Sequence, residues 1–238
     1  MTALDGIERE AARIVEVARD ADLTSPVPNL GRWKMRDVLA HLGGVHEWAT
    51  RIVTNRSMDG PGFRKSKLDG DELIGWYAAA AAGLVEVLSA IDPAEPCPNF
   101  SPGSDRTVGW WGRRQLGEAA VHRYDMEAAA GSTTPIDPAV AADLVDEFLD
   151  TFVRTRGKQT ATAPVGLASS EPASHWTITL ADKPGRVDVT RGEGDVAGTL
   201  SGPAEDLLLV LWDRLDVDDS ALLFDGDEGA VLAFLAGA

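Results

Sequence analysis

Cysteine is nearly absent: Cys97 is the single one in 238 residues. An internal disulfide is therefore impossible, and a paired-cysteine zinc site is excluded. Histidine is scarce too, with His41, His46, His122 and His175 the full set. Basic side chains are outnumbered, 22 Lys and Arg against 38 Asp and Glu, for a formal charge of −16. Neutralising phosphates requires clustered cations, so this balance argues against nucleic acid and anionic membrane as partners. No stretch approaches the ~20 apolar residues of a membrane span, and even YAAAAAGLVEVL carries Glu86. The opening MTALDGIEREAARIVEVARD sets acids among its first apolar residues and has no signal-peptide core. A soluble protein of a reduced, cytoplasmic compartment is the expectation.

Hydrophobic residues make up 44% of the chain, enough for a real core. The length suits one large or two small domains. Residues 1–131 hold 15 basic and 19 acidic side chains, whereas residues 132–238 hold 7 and 19. That shift in charge points to two units, with a boundary placed at 133/134.

The first half reads helical. Ile7, Ala11, Ile14, Val15 and Ala18 recur at helical spacing over 5–20. Trp33, Val38, Ala40, Leu42, Val45, Trp48 and Ile52 do the same over 29–53. Gly43-Gly44 inside that segment costs about 1 kcal/mol per Gly relative to Ala, which implies close packing or a kink there. Further helices are expected from Asp69 or Asp71 to about Ile91, and from about Val108 to Ala130, stopped by Gly131. The segments 54–68 and 92–106, rich in Gly and Pro, read as loops. Four helices so connected read as a bundle. After a fifth helix, about Ala139–Arg154, the segments PVGLASS, HWTITLAD, RVDVTRG and VAGTLSG read as short strands. Two helices, Pro203–Leu215 and about Asp227–Leu235, close the chain. The fold class is therefore α+β, with a small antiparallel sheet covered by helices.

Chemistry concentrates on the fourth helix. Glu118 and His122 lie four residues apart, offset by only about 40° around the axis, so both can project to one point. A histidine from another helix would complete a two-His, one-carboxylate set suited to a divalent metal with an open position. His41 and His46 are the candidates on the second helix, but they are about 140° apart and cannot share one ion on a regular helix. Glu118 has a second reading, an ion pair with Arg114. Asp37 and Asp125, one turn from His41 and His122, are either outer partners of the histidines or salt-bridge partners of Arg36 and Arg123. Cys97, between two prolines, has no base beside it in sequence and reads as incidental. Trp111 falls about 20° from Glu118 and is placed to wall a pocket. His175 begins a strand and reads as an edge residue. DGDEG at 225–229 lacks the ligand alternation of a calcium loop and reads as a turn and helix cap.

The segment WKMRDVLAHLGGVHEWA, with GEAAVHRYDMEAAAG further along, resembles the mycothiol-dependent maleylpyruvate isomerase family of actinobacteria. The tail, GPAEDLLLVLWDRL then FDGDEGAVLAFL, is similar to that family's C-terminal domain. The resemblance implies a DinB-like metal-binding four-helix bundle over 1–133 and a sterol-carrier-like α+β domain over 134–238. It assigns the metal ligands to His41, Glu118 and His122, with zinc or another divalent metal as the ion. It also places a substrate-binding arginine at Arg214, whose other reading is a salt bridge to Asp213, Asp216 or Asp218. The implied cofactors are zinc and mycothiol, and the implied partners are a small-molecule substrate and a low-molecular-weight thiol, in a monomer or small homo-oligomer. In an isomerase the thiolate adds to a conjugated cis double bond, permits rotation and leaves; in a mycothiol S-transferase of detoxification it stays attached. A non-catalytic metal- or small-molecule-binding module is the alternative class.

Overall fold

In the computed structural model, residues 2–101, 105–154 and 158–238 are described, and the chain divides into two compact units. Of the described residues, the first unit holds those up to Phe100 and Asp105–Thr134, and the second holds Ser101 and Pro135–Ala238.

The first unit is built of α1 (Ala3–Asp20), α2 (Met35–Asn55), α3 (Gly70–Ser89) and α4 (Val108–Ala130). Helix α1 opens on a reciprocal cap: Asp5 N donates to Thr2 Oγ1 (3.2 Å) and Thr2 N to Asp5 Oδ2 (3.0 Å). Its apolar stripe, Ile7, Ala11, Ile14 and Ala18, is buried as the spacing predicts. Helix α3 is long and apolar enough to cross a membrane by composition alone. Its Leu73, Tyr77, Ala81, Leu84 and Leu88 are buried in the unit, while Asp71, Glu72 and Glu86 are exposed.

Helix α2 begins later than the periodicity of 29–53 suggests, because Lys34 N donates to Asp37 Oδ2 (2.9 Å) and fixes the first turn there. It runs unbroken through Gly43-Gly44, so of the two expectations for that pair close packing holds and the kink does not. A Cβ on Gly43 would overlap the Trp76 ring, and one on Gly44 would overlap the Arg64 backbone carbonyl. Only hydrogen lets the 56–69 loop press onto the helix at that point. Helix α4 starts where Thr107 Oγ1 accepts from Trp110 N (3.3 Å) and stops at Gly131, whose φ of 88° is left-handed. It is buried nearly all round, and its buried residues include Arg114, Gln115, His122, Arg123, Asp125 and Glu127.

The second unit holds α5 (Pro138–Phe148), continued by a π-helical turn (Leu149–Val153), and strands β1 (Val165–Ser169), β2 (Ser174–Leu180), β3 (Val187–Arg191) and β4 (Gly198–Gly202). Helix α6 (Ala204–Leu211), strand β5 (Leu223–Gly226) and helix α7 (Glu228–Leu235) complete it. The sheet order is β3-β2-β1-β4-β5. One pairing departs from the all-antiparallel expectation: β1 and β4 run parallel, because the β2–β3 hairpin intervenes in sequence and the chain crosses back. In β2, Trp176, Thr177 and Ile178 are buried in succession, whereas Leu180, at the strand's end, is 47% exposed. Of the expected loop 92–106, residues 102–104 lie outside the described residues.

Candidate metal centre

Helices α2 and α4 bring His41, Glu118 and His122 together, with one potential ligand atom from each lying within 4.8 Å of the others. Nε2 of His41 is 3.4 Å and Nε2 of His122 is 3.5 Å from the same oxygen, Oε2 of Glu118. Those separations are long for a good hydrogen bond. Around a tetrahedral zinc with bonds of ~2.0–2.1 Å, however, neighbouring ligand atoms stand ~3.4 Å apart. The donor set and its two edges to Glu118 therefore match those of a tetrahedral divalent cation, and no two of the three atoms are more than 4.8 Å apart.

Two of the three side chains have further polar partners, whereas Nδ1 of His41 is buried without one among the described residues. Asp125 Oδ2 lies 2.7 Å from His122 Nδ1, which holds that nitrogen protonated and leaves Nε2 to face the cluster. Burial pulls the His122 imidazole down, but the bonds to Asp125 and Glu118 outweigh it and push the group up to about 9. Burial would raise the Glu118 carboxyl, yet the Arg114 guanidinium and the two imidazoles hold it well below the usual carboxylate range. Arg114 donates to Glu118 Oε1, the oxygen turned away from the histidines. The ion pair with Arg114 is thus present on one oxygen, and the other faces the two imidazoles. Aromatic rings wall the cluster: Trp33 lies 5.2 Å from the His41 ring and 6.2 Å from the His122 ring, and Phe63 lies 5.1 Å from His41.

Comparison with known proteins adds a second line. Residues 4–127 match the family model of the mycothiol maleylpyruvate isomerase N-terminal domain, and residues 139–233 match the corresponding C-terminal domain. The chain belongs to the mycothiol maleylpyruvate isomerase family. The fold agrees with a crystal structure of the mycothiol-dependent maleylpyruvate isomerase, at 11% identity and a TM-score of 0.67 over 94% of this chain and 92% of that one. A histidine-to-alanine mutant of a mycothiol-dependent maleylpyruvate isomerase is similar at 11% identity, with a TM-score of 0.62 over 87% and 86%. A search of curated protein sequences finds no match.

In this maleylpyruvate isomerase family member, His46 takes no part in the cluster. It is fully buried, and its Nδ1 lies 2.7 Å from Gln115 Oε1. Asp37 caps α2 through Lys34 N instead of bonding His41, and Arg36 pairs with Asp69. Arg123 pairs with Glu10 and Glu127, which leaves Asp125 to His122. Trp111 is buried among Trp48, Phe100 and Trp110, so the pocket-wall role expected of it falls to Trp33. Cys97 is buried, and burial pushes its thiol up, consistent with an inert side chain. His175 lies at the start of β2, 3.4 Å from Glu193. Asp227 caps α7 by accepting from Ala230 N (3.1 Å), as the turn-and-cap reading of DGDEG expects. Arg214, in the turn after α6, donates from Nη1 to Trp212 O (2.6 Å). Trp33 carried the helical period of 29–53 and read as one more apolar position, whereas Phe63, on the loop after α2, had no periodic signal.

Proposed function

We propose that this protein is a zinc-dependent enzyme that uses mycothiol on a small electrophilic substrate, with isomerisation of a maleylpyruvate-like compound the first activity to test. The observation that carries the reading is the separation of the two imidazole Nε2 atoms from one Glu118 oxygen, 3.4 and 3.5 Å, the edge lengths of a zinc tetrahedron. His41, Glu118 and His122 would hold the ion from three corners and leave the fourth open. When bound, the metal supplies a Lewis-acid position at which a thiol loses its proton near neutral pH.

The chain's own residues do the rest. Asp125 fixes the tautomer and orientation of His122. Arg114 takes up the second Glu118 oxygen and keeps the carboxylate ionised. Trp33 and Phe63 pack their rings against His41 and cover part of the cluster with apolar surface. Substrate binding by Arg214 is the further role that the family resemblance implies, and a rise in KM in Arg214→Gln tests it.

Metal analysis of purified protein tests the centre. The expected result is close to one zinc per chain in the wild type and loss of it in His122→Ala, with Asp125→Asn weakening metal binding by about 10–100-fold. Incubation with mycothiol and maleylpyruvate, then with mycothiol and monobromobimane, separates isomerase from S-transferase. Full metal occupancy in His122→Ala would overturn the assignment.

A further inference from the structure

The 56–69 loop is clamped over the cluster. Arg64 passes its backbone over Gly44, where no side chain can stand, and Ser66 N donates to Ala40 O (3.4 Å) beside His41. Phe63, just before these anchors, and Lys65, between them, pack against the cluster and its Trp33 wall respectively. Phe63 meets His41, and Lys65 sets its Nζ 3.4 Å from the centroid of the Trp33 ring. Trp33 in turn touches both imidazoles, so the ammonium can lie no further from either ring than two adjoining ring contacts laid end to end.

Lys65 has no hydrogen bond or ion pair among the described residues; the Trp33 ring is its close partner. Asp37 is the one carboxylate that acts on it electrostatically, and Asp37 Oδ2 is already engaged by Lys34 N. The loop concentrates cations, Arg64, Lys65 and Lys67, in a chain of formal charge −16. A cation resting on an aromatic face is held weakly beside a charge-assisted hydrogen bond, so an incoming anion can recruit it. Partial desolvation strengthens that attraction.

We propose that Lys65 binds a carboxylate of the substrate brought to the His41–Glu118–His122 cluster, and so selects anionic over neutral electrophiles. This rests on the reading of the cluster as a catalytic site but is testable without turnover. The full chain is titrated with succinate, followed by tryptophan fluorescence and calorimetry, against Lys65→Gln, Lys65→Arg and Arg64→Gln. Lys65→Gln is expected to weaken succinate binding about tenfold or more, and Lys65→Arg to restore most of it. Arg64→Gln makes the same change of charge on the same exposed loop and should alter binding less than about twofold. Succinamide, with the same carbon skeleton and no charge, should bind Lys65→Gln and wild type alike. In turnover with mycothiol, the Lys65→Gln loss should fall on KM for maleylpyruvate more than on kcat. Unchanged succinate binding in Lys65→Gln, or equal weakening in Arg64→Gln, would overturn the proposal. Absence of zinc or of thiol-dependent turnover would instead overturn the function proposed above, since succinate binding is read independently of both.

Discussion

His46 and His122 are both buried in the same helical unit, yet they titrate on opposite sides of the ordinary imidazole range. His122 faces two carboxylates, whereas His46 has only the neutral Gln115 amide as its hydrogen-bond partner. Burial drives His46 from 6.5 down to about 4, against the smaller opposing effect of that bond. The unfolded chain takes up a proton near pH 6.5 that the folded chain refuses until about pH 4. Stability contributed by this site is therefore whole above pH 6.5 and drains as the pH falls towards 4, by about 3 kcal/mol in all. Urea unfolding at pH 6.5 and 4.5 should show a markedly smaller acid loss in His46→Asn than in the wild type; equal losses would contradict the assignment. At this scale the sequence was partly legible. Helical spacing paired Glu118 with His122 and set His46 apart from His41, because both are angles around one axis. The Phe63 and Lys65 contacts were hidden, since they depend on a loop crossing Gly44 and not on any repeat along the chain, and Trp33, though it carried the helical period, gave no sign in sequence of its contacts with the two imidazoles.

Among the elements, α4 explains how a ligand-bearing helix can be buried nearly all round. Its polar residues are matched by specific partners. Arg123 donates to Glu10 Oε2 on α1 and to Glu127 Oε2 one turn on, both at 2.8 Å, and to Thr134 Oγ1 at 3.0 Å. Arg13 reaches Glu127 Oε1 from α1 at 2.6 Å. Replacing Arg123 with Met leaves Glu10 with Arg9 alone and Glu127 with Arg13 as its remaining cation, both carboxylates almost wholly buried. Removing one member of such a buried network costs about 3–5 kcal/mol. The urea midpoint of Arg123→Met should fall accordingly, and the Glu10→Met/Arg123→Met pair should recover part of the loss by removing a buried carboxylate that has lost one of its two cations. A double variant no more stable than the single one would mean that packing, not charge, dominates there. The helices with one apolar face were legible from spacing, and so were β1 to β4, each bounded by Pro or Gly. Strand β5 was not: LFDG is four residues beside a run of acids, with no period to read. The parallel β1–β4 pairing was equally hidden, because pairing order is decided between segments and not within them.

Across the whole molecule, all three residues of the cluster come from the first unit and from two of its helices. A cation bound there stabilises the states in which α2 and α4 are both folded and adjacent, by mass action. At a hundredfold excess over its dissociation constant the gain is about 2.7 kcal/mol, and it is confined to openings that separate those helices. Hydrogen exchange resolves this by region. Adding zinc to the metal-free protein should slow exchange in peptides from Met35–Asn55 and Val108–Ala130. Peptides from β1 to β5 should exchange at unchanged rates, since the second unit supplies none of the three side chains. His122→Ala should abolish the zinc effect without altering exchange in the sheet. Protection spreading equally through both units would contradict a centre built from α2 and α4 alone.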